Sequence, residues 1–135
     1  MSYVFDSSSI YVLLGKGKIS ILGGNYTTFL AKFELGNIVW KEVLLHRRIS
    51  EEEGLRLISF ISKLLSAMNL EDIDSVEVEK VAVDYGITFY DASYVWLAMS
   101  LDLPLVSDDI KLRNSLKDKK KLKVLSSEDI KMGEL

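Results

Sequence analysis

The chain begins Met1-Ser2 and then runs Tyr3-Val4-Phe5-Asp6-Ser7-Ser8-Ser9. Tyr3-Val4-Phe5 is apolar at successive positions, the pattern of a short strand buried on both faces in a parallel sheet. Asp6 and the serines behind it are residue types that cap a helix N-terminus. A buried strand that stops at an acid and enters a helix is the first half of a βαβ unit, and the rest of the chain repeats the alternation. A helix is predicted around Ser8–Leu14, ended by Gly15 and Gly17, and a second strand at Ile19-Ser20-Ile21-Leu22, stopped by Gly23-Gly24-Asn25. A long helix is predicted over about 27–47, where Phe29, Phe33, Trp40 and Leu44 recur near helical spacing; Phe33 and Trp40 are expected to face the core. Arg47 and Arg48 suit the negative end of its dipole.

Ser50-Glu51-Glu52-Glu53 has the form of a capping box opening the next helix. A weak strand near Leu70–Ile73, a helix near Val76–Tyr85 closed by Gly86, and a helix opened by Thr88-Phe89-Tyr90-Asp91 follow. Pro104-Leu105-Val106 is a short buried strand ended by Ser107-Asp108-Asp109, and Leu122, Val124 and Leu125 mark the last strand. Strand–helix alternation implies right-handed crossovers and a parallel sheet of four or five strands between helical layers, a three-layer α/β/α fold. Ligands of such sheets bind beyond the carboxyl ends of the strands, where strand order reverses. Asp6 and Asp108/Asp109 fall at two such ends.

With 135 residues, 48% hydrophobic and 27% charged, residues 1–135 form one domain with one core. No apolar run approaches a membrane span and the N-terminus lacks the features of a signal peptide, so a cytoplasmic protein is expected. Cys 0 removes disulfides, thiolate metal sites and cysteine nucleophiles. The net charge of −3 argues against a uniformly basic nucleic-acid binder, yet Lys111, Arg113, Lys117, Lys119, Lys120, Lys121 and Lys123 face a single acid, Asp118, in one stretch. That stretch also fits a solvated helix and loop.

Asp6, Glu34, Asp91 and Asp108/Asp109 are carboxylates the fold can bring together. Singly, three of them also fit helix caps or a capping box; Glu34, inside a helix, does not. Carboxylates gathered in one pocket repel, and a cation is the simplest compensation. With oxygen ligands, no Cys and one His, the ion is Mg²⁺ or Mn²⁺ rather than Zn²⁺. Such an ion activates water and neutralises charge on a phosphate, the chemistry of a nuclease. His46 lies roughly 18 Å along the helix from Glu34 at 1.5 Å per residue, so histidine-pair ribonucleases and Ser-His-Asp triads are not expected. Asn37, one turn from Glu34, and Lys41, roughly 10 Å along, are candidate contacts to the substrate phosphate.

Val4-Phe5-Asp6-Ser7-Ser8, Phe33-Glu34-Leu35-Gly36-Asn37-Ile38-Val39-Trp40-Lys41, Tyr90-Asp91-Ala92-Ser93-Tyr94-Val95-Trp96-Leu97-Ala98 and Leu105-Val106-Ser107-Asp108-Asp109 resemble, in order and spacing, the motifs of the PIN-domain ribonucleases, specifically the VapC-type toxins of toxin–antitoxin pairs. The resemblance covers Tyr3 to about Val124. It implies a Mg²⁺- or Mn²⁺-dependent endoribonuclease acting on RNA, a frequent homodimer, and a cognate antitoxin whose C-terminal segment covers the active site. It matches Asp6, Glu34, Asp91 and Asp109 to the family's acids, Ser7 to a small polar residue beside the first, and Ser107 to the hydroxyl of a Thr/Ser-x-Asp motif; Asp108 is an extra acid, a second ligand, a cap or a surface charge. A receiver-like phospho-accepting domain and a catalytically weak PIN-fold interaction module are the rival readings. Leu55, Ile58, Phe60, Ile61, Leu64 and Leu65 form a stripe wider than one core face requires. It suits an amphipathic antitoxin segment in a groove against the Glu34 helix, a homodimer contact, or buried core.

Overall fold

The computed structural model describes residues 1–130. Five parallel strands, β1 (Val4–Phe5), β2 (Tyr26–Thr28), β3 (Asn69–Glu71), β4 (Leu105–Val106) and β5 (Val124–Leu125), lie in the order β3-β2-β1-β4-β5. Val4 pairs with Tyr26 on one side and Leu105 on the other. The chain steps outward from β1 to β3, then returns to the far side of β1 for β4, so the order reverses between β1 and β4. This differs from the 2-1-3-4-5 order of receiver-type sheets and sets that rival aside.

Six helices flank the sheet: α1 (Ser7–Gly15), α2 (Leu30–Trp40), α3 (Glu51–Ser66), α4 (Ser75–Tyr85), α5 (Phe89–Leu101) and α6 (Ile110–Ser115). Right-handed crossovers put α1, α2 and α3 on one face and α4, α5 and α6 on the other, in keeping with the packing of α2 on α1 and α3, of α4 on α5, and of α5 on β1, β2 and β4. Val4, Phe5, Ile10, Leu35, Val95, Leu105 and Val106 are fully buried between the layers. Among the described residues no helix is long and apolar enough to cross a membrane.

Several local expectations hold. Ser50 and Glu53 form the reciprocal capping box, Thr88 caps α5, and Gly86 ends α4 at φ 65°. Two do not. Ile19–Leu22 is a turn rather than a strand: Leu22 N donates to Ile19 O at 3.0 Å, and Ile21 and Leu22 are buried from that turn. Apolarity there serves packing, while Asn25 ties the segment to the first strand by accepting from Tyr3 N at 2.7 Å. The second strand is Tyr26–Thr28, whose aromatic and β-branched residues suit it.

The long helix starts at Leu30 and changes at Lys41 into a π-helical turn (Lys41–Leu45). Its inward face is Ala31, Leu35 and Val39, whereas Phe33 is 72% and Trp40 48% exposed. The small Ala31 and the β-branched Val39 let α2 lie close to its neighbours, and the larger rings are turned outward. On α3, Ile61, Leu64 and Leu65 are core, Ile58 is half-buried, and only Leu55 and Phe60 of the apolar stripe are well exposed. Gly54 sits where α3 meets the π turn; a Cβ there would lie 2.6 Å from a Val43 methyl.

Candidate active site

The crevice lies at the carboxyl ends of β1 and β4. Asp6 follows β1 directly and caps α1: its Oδ1 accepts from Ser9 N at 2.9 Å and from the Ser8 hydroxyl at 2.7 Å. The Ser9 hydroxyl donates to Val106 O at 2.8 Å, and Asp108 N donates to Ser8 Oγ at 2.9 Å. The start of α1 is thereby stitched to the end of β4, which brings Asp6 beside Ser107. Burial pushes the Asp6 carboxyl up to about 6, against hydrogen bonds from Ser107, Ser8 and Ser9 that favour its charged form.

Glu34 reaches the same crevice from the middle of α2. Its Oε1 accepts from Ser7 Oγ at 3.0 Å and from the Tyr94 hydroxyl at 2.6 Å. Tyr94 is buried, and desolvation together with the charge of Glu34 holds its hydroxyl well above the ordinary range, so it stays a neutral donor. Tyr94 stands one turn beyond Asp91 on α5, which is how one helix supplies both a carboxylate and the donor that orients another.

Asp91 lies half-buried in the first turn of α5, where its backbone N–H donates to Thr88 Oγ1 at 3.0 Å. Burial first, then the charges of Asp109 and Glu34, raise its carboxyl above the usual range, and Lys111 partly offsets this. Asp109 caps α6 through Leu112 N at 3.1 Å, and its own N–H donates to Ser107 Oγ at 3.2 Å. Asp108 behaves differently. Its Oδ1 accepts from Ser127 N at 3.1 Å in the turn beyond β5, and its Oδ2 is buried with no partner among the described residues.

Asp6, Asp91 and Asp109 thus each sit at a helix N-terminus, where the backbone dipoles favour negative charge, and Glu34 completes the ring from a helix flank. The charges of Asp109 and Glu34 act on Asp91, and those of Glu34 and Asp6 on Tyr94, yet among the described residues no three His, Asp or Glu side chains form a ready-made ion-binding group. An all-oxygen set in which burial and the charges of Asp109 and Glu34 raise the proton affinity of Asp91 fits a hard divalent cation. Ser7, Asn37 and Lys41 line a recess with Glu34, Phe33 and Tyr90. Lys111 lines another with Asp91, Asp109 and Thr88. His46 is exposed beyond the π turn.

Tyr94 and Ser8 are the contributors that the sequence pattern alone did not single out. The i, i+3 spacing from Asp91 to Tyr94 was the available signal for the first; for Ser8, nothing distinguishes it from two neighbouring serines until the fold sets it against Asp108.

No protein-family model matches the chain. It is 35% identical over 121 residues to the exonuclease VapC9 of Pyrobaculum aerophilum, covering 83% of this chain and 84% of that one. The crystal structure of PAE2754 from Pyrobaculum aerophilum matches with a TM-score of 0.77 and 31% identity, over 96% of this chain and 91% of that one. Two more distant structures share the fold. A toxin–antitoxin complex from Klebsiella pneumoniae has a TM-score of 0.63 at 15% identity, over 93% of this chain and 98% of that one. VapBC-1 from nontypeable Haemophilus influenzae has 0.55 at 16%, over 95% and 99%. With the sheet order, the acids at its switch point and these likenesses together, the chain belongs to the VapC family.

Proposed function

We propose that this chain is a Mg²⁺- or Mn²⁺-dependent endoribonuclease toxin, acting in the cytoplasm and held in check by a cognate antitoxin. The observation that supports this reading is that Asp6 and Asp109 follow the two strands at the switch point, with Asp91 near enough to Asp109 and Glu34 for their charges to act on it. These four residues would hold the cation, which when bound supplies an activated water and neutralises charge on the phosphate.

The remaining chemistry belongs to the chain. Ser7 and Tyr94 keep Glu34 aimed into the crevice, and Ser8 with the start of α1 does the same for Asp6. Ser107, between Asp6 and Asp109, positions both. Asn37 and Lys41 border the Glu34 recess, where they meet the phosphate backbone. Lys111 and the basic stretch behind it carry the strand away on the other side. One recess at Glu34 and another at Asp91 and Asp109 suit a strand that passes from one to the other, which favours internal cleavage over trimming of ends.

The relative's name, an exonuclease, makes this the point to test. Purified protein with Mn²⁺ or Mg²⁺ should open a circular RNA, which has no ends, and chelation or Asp6→Asn should abolish the cut. Trimming of linear RNA with circular RNA left intact would make the chain an exonuclease, and no cleavage of either would leave the interaction module.

For the antitoxin, Phe33, Trp40 and Leu44 of α2 and its π turn, and Leu55 and Phe60 on α3, are exposed apolar side chains, and Phe33 borders the Glu34 recess. An amphipathic segment lying there, with an Arg or Lys reaching the acids, would both cover and neutralise the site. Val76 and Val83 leave a second apolar face on α4 for the homodimer.

A further inference from the structure

The groove does not stop at Glu34. Leu30 and Tyr90, which border the Glu34 recess, also border a second recess of about 220 Å³ at the carboxyl ends of β2 and β3. Thr28, Phe29, Ile73 and Phe89 are also part of its wall. Leu30 is one turn of α2 before Glu34, about 6 Å along the helix, and Tyr90 adjoins Asp91, so the recess is immediately beside the acids.

Three features restrict what can fill it. Phe29 and Tyr90 line the recess and leave half or more of their surface exposed, so it holds aromatic side chains against which a flat group can stack. No Lys or Arg lines it, while Glu71 and Asp72 do, which repels a phosphate and favours a group that donates hydrogen bonds. The Thr28 hydroxyl is buried without a hydrogen-bond partner among the described residues, a condition that costs about 1–3 kcal/mol unless something satisfies it. A planar heterocycle with an exocyclic amine answers all three: stacking on aromatic rings, donation to a carboxylate, and a polar ring atom for the hydroxyl.

We propose that this recess is a nucleobase subsite, which takes the base next to the cleaved phosphate and selects adenine or cytosine over uracil. The inference rests on the reading of the acidic crevice as an RNA-cleaving site, and it is tested first by a measurement that needs no cleavage. In methyl NMR of the full metal-free chain, adenosine or cytidine should shift the Thr28, Leu30 and Ile73 signals saturably, and uridine should bind roughly tenfold more weakly, the worth of one hydrogen bond. Phe89→Ala should remove the response. Absence of saturable shifts with any nucleoside, or equal shifts with uridine, overturns the subsite.

The second arm uses uracil oligonucleotides carrying one adenine or cytosine at successive positions. Wild-type protein should cut beside that base, and Thr28→Val, which keeps the shape and drops the hydroxyl, should bring the ratio of cuts there and elsewhere towards one. If nucleosides bind but no RNA is cut, the cleavage reading fails and the subsite stands. A Thr28→Val protein with the wild-type ratio removes Thr28 and with it the selectivity argument. Loss of antitoxin binding in Phe89→Ala with nucleobase preference intact assigns the recess to a protein side chain and overturns the proposal.

Discussion

Two helices deliver carboxylates to the same crevice, and they hold them in opposite ways. α5 is capped by Thr88, buries six of its residues and packs on three strands, so Asp91 is fixed by the start of its own helix. α2 has no side-chain cap at Phe29, buries only Ala31, Leu35 and Val39, and passes into a π turn with Phe33 and Trp40 turned to solvent. Glu34 is held instead by hydroxyls from two other elements, Ser7 and Tyr94. One helix holds its acid from within and the other relies on its neighbours, and π turns of this kind often accompany functional sites. An apolar partner lying on the outward rings of α2 would therefore act on the element that carries Glu34 while leaving Asp91 in place.

The largest expected effect tests whether both helices serve one site. Asp91→Asn on α5 and Asp6→Asn after β1 should each lower RNA cleavage by roughly a thousandfold or more, since a bound cation contributes several kcal/mol to stabilising the transition state. The double variant should be no worse than either alone, because groups that act as a unit are non-additive. Independent, multiplying losses in single-turnover assays would mean that the two acids do not share a site.

The same Asp6→Asn change should act in the opposite sense on stability. Its carboxyl lies at about 6 in the folded chain against 3.8 unexposed to the fold, so the folded state binds the extra proton between those values. Folding is favoured by the protonated form at low pH, and stability falls as pH rises from about 4 to 6, reaching its full penalty above that. Asn can still accept from Ser9 N, so Asp6→Asn should gain about 1–3 kcal/mol at pH 8, an upper bound near two pKa units, and nothing at pH 4. Denaturant melts of the metal-free proteins at the two pH values measure it. Added Mn²⁺ should stabilise the wild type and leave the variant unmoved.

Next in size is the contrast between the two ways of holding an acid. Tyr94→Phe removes one of the two donors to Glu34, so metal affinity or cleavage should drop by about 10- to 100-fold, the usual cost of losing an orienting partner. Thr88→Ala removes the cap of α5 and should cost about 1 kcal/mol of stability, with little change in Glu34. Equal effects of the two variants on both activity and melting would erase the distinction drawn between α2 and α5.

What the sequence disclosed follows the same division. Asp6, Thr88, Gly86 and the Ser50–Glu53 box were legible because caps and left-handed positions are local, depending on residues within one turn of each other. α2 misled because its aromatic residues recur at helical spacing yet face outward, and periodicity reports a stripe without saying which side is buried. Ile19–Leu22 misled for a related reason: a turn can bury apolar residues as well as a strand can. The hydroxyl network of Ser7, Ser8 and Tyr94 spans separations of 27, 100 and 60 residues and belongs to the tertiary fold alone.

The smallest effect separates two lysines on α2 and its π-helical extension. Lys41 begins the π turn and borders the recess of Glu34 and Asn37, whereas Lys32 is exposed on α2 and borders none of the recesses beside the acids. A lysine that neutralises a phosphate of a single strand releases counterions, and each such contact contributes about 0.7 to the slope of log affinity against log salt. Lys41→Ala should therefore weaken RNA binding several-fold at low salt and flatten the slope by about 0.7, the difference narrowing as salt rises. Lys32→Ala should leave the slope where it was. Binding is best measured in the Asp6→Asn background, which holds the RNA uncut. Matching slopes for the two lysine variants would show that the RNA backbone does not pass along the Glu34 side of the crevice, and would move its track to the recess of Lys111.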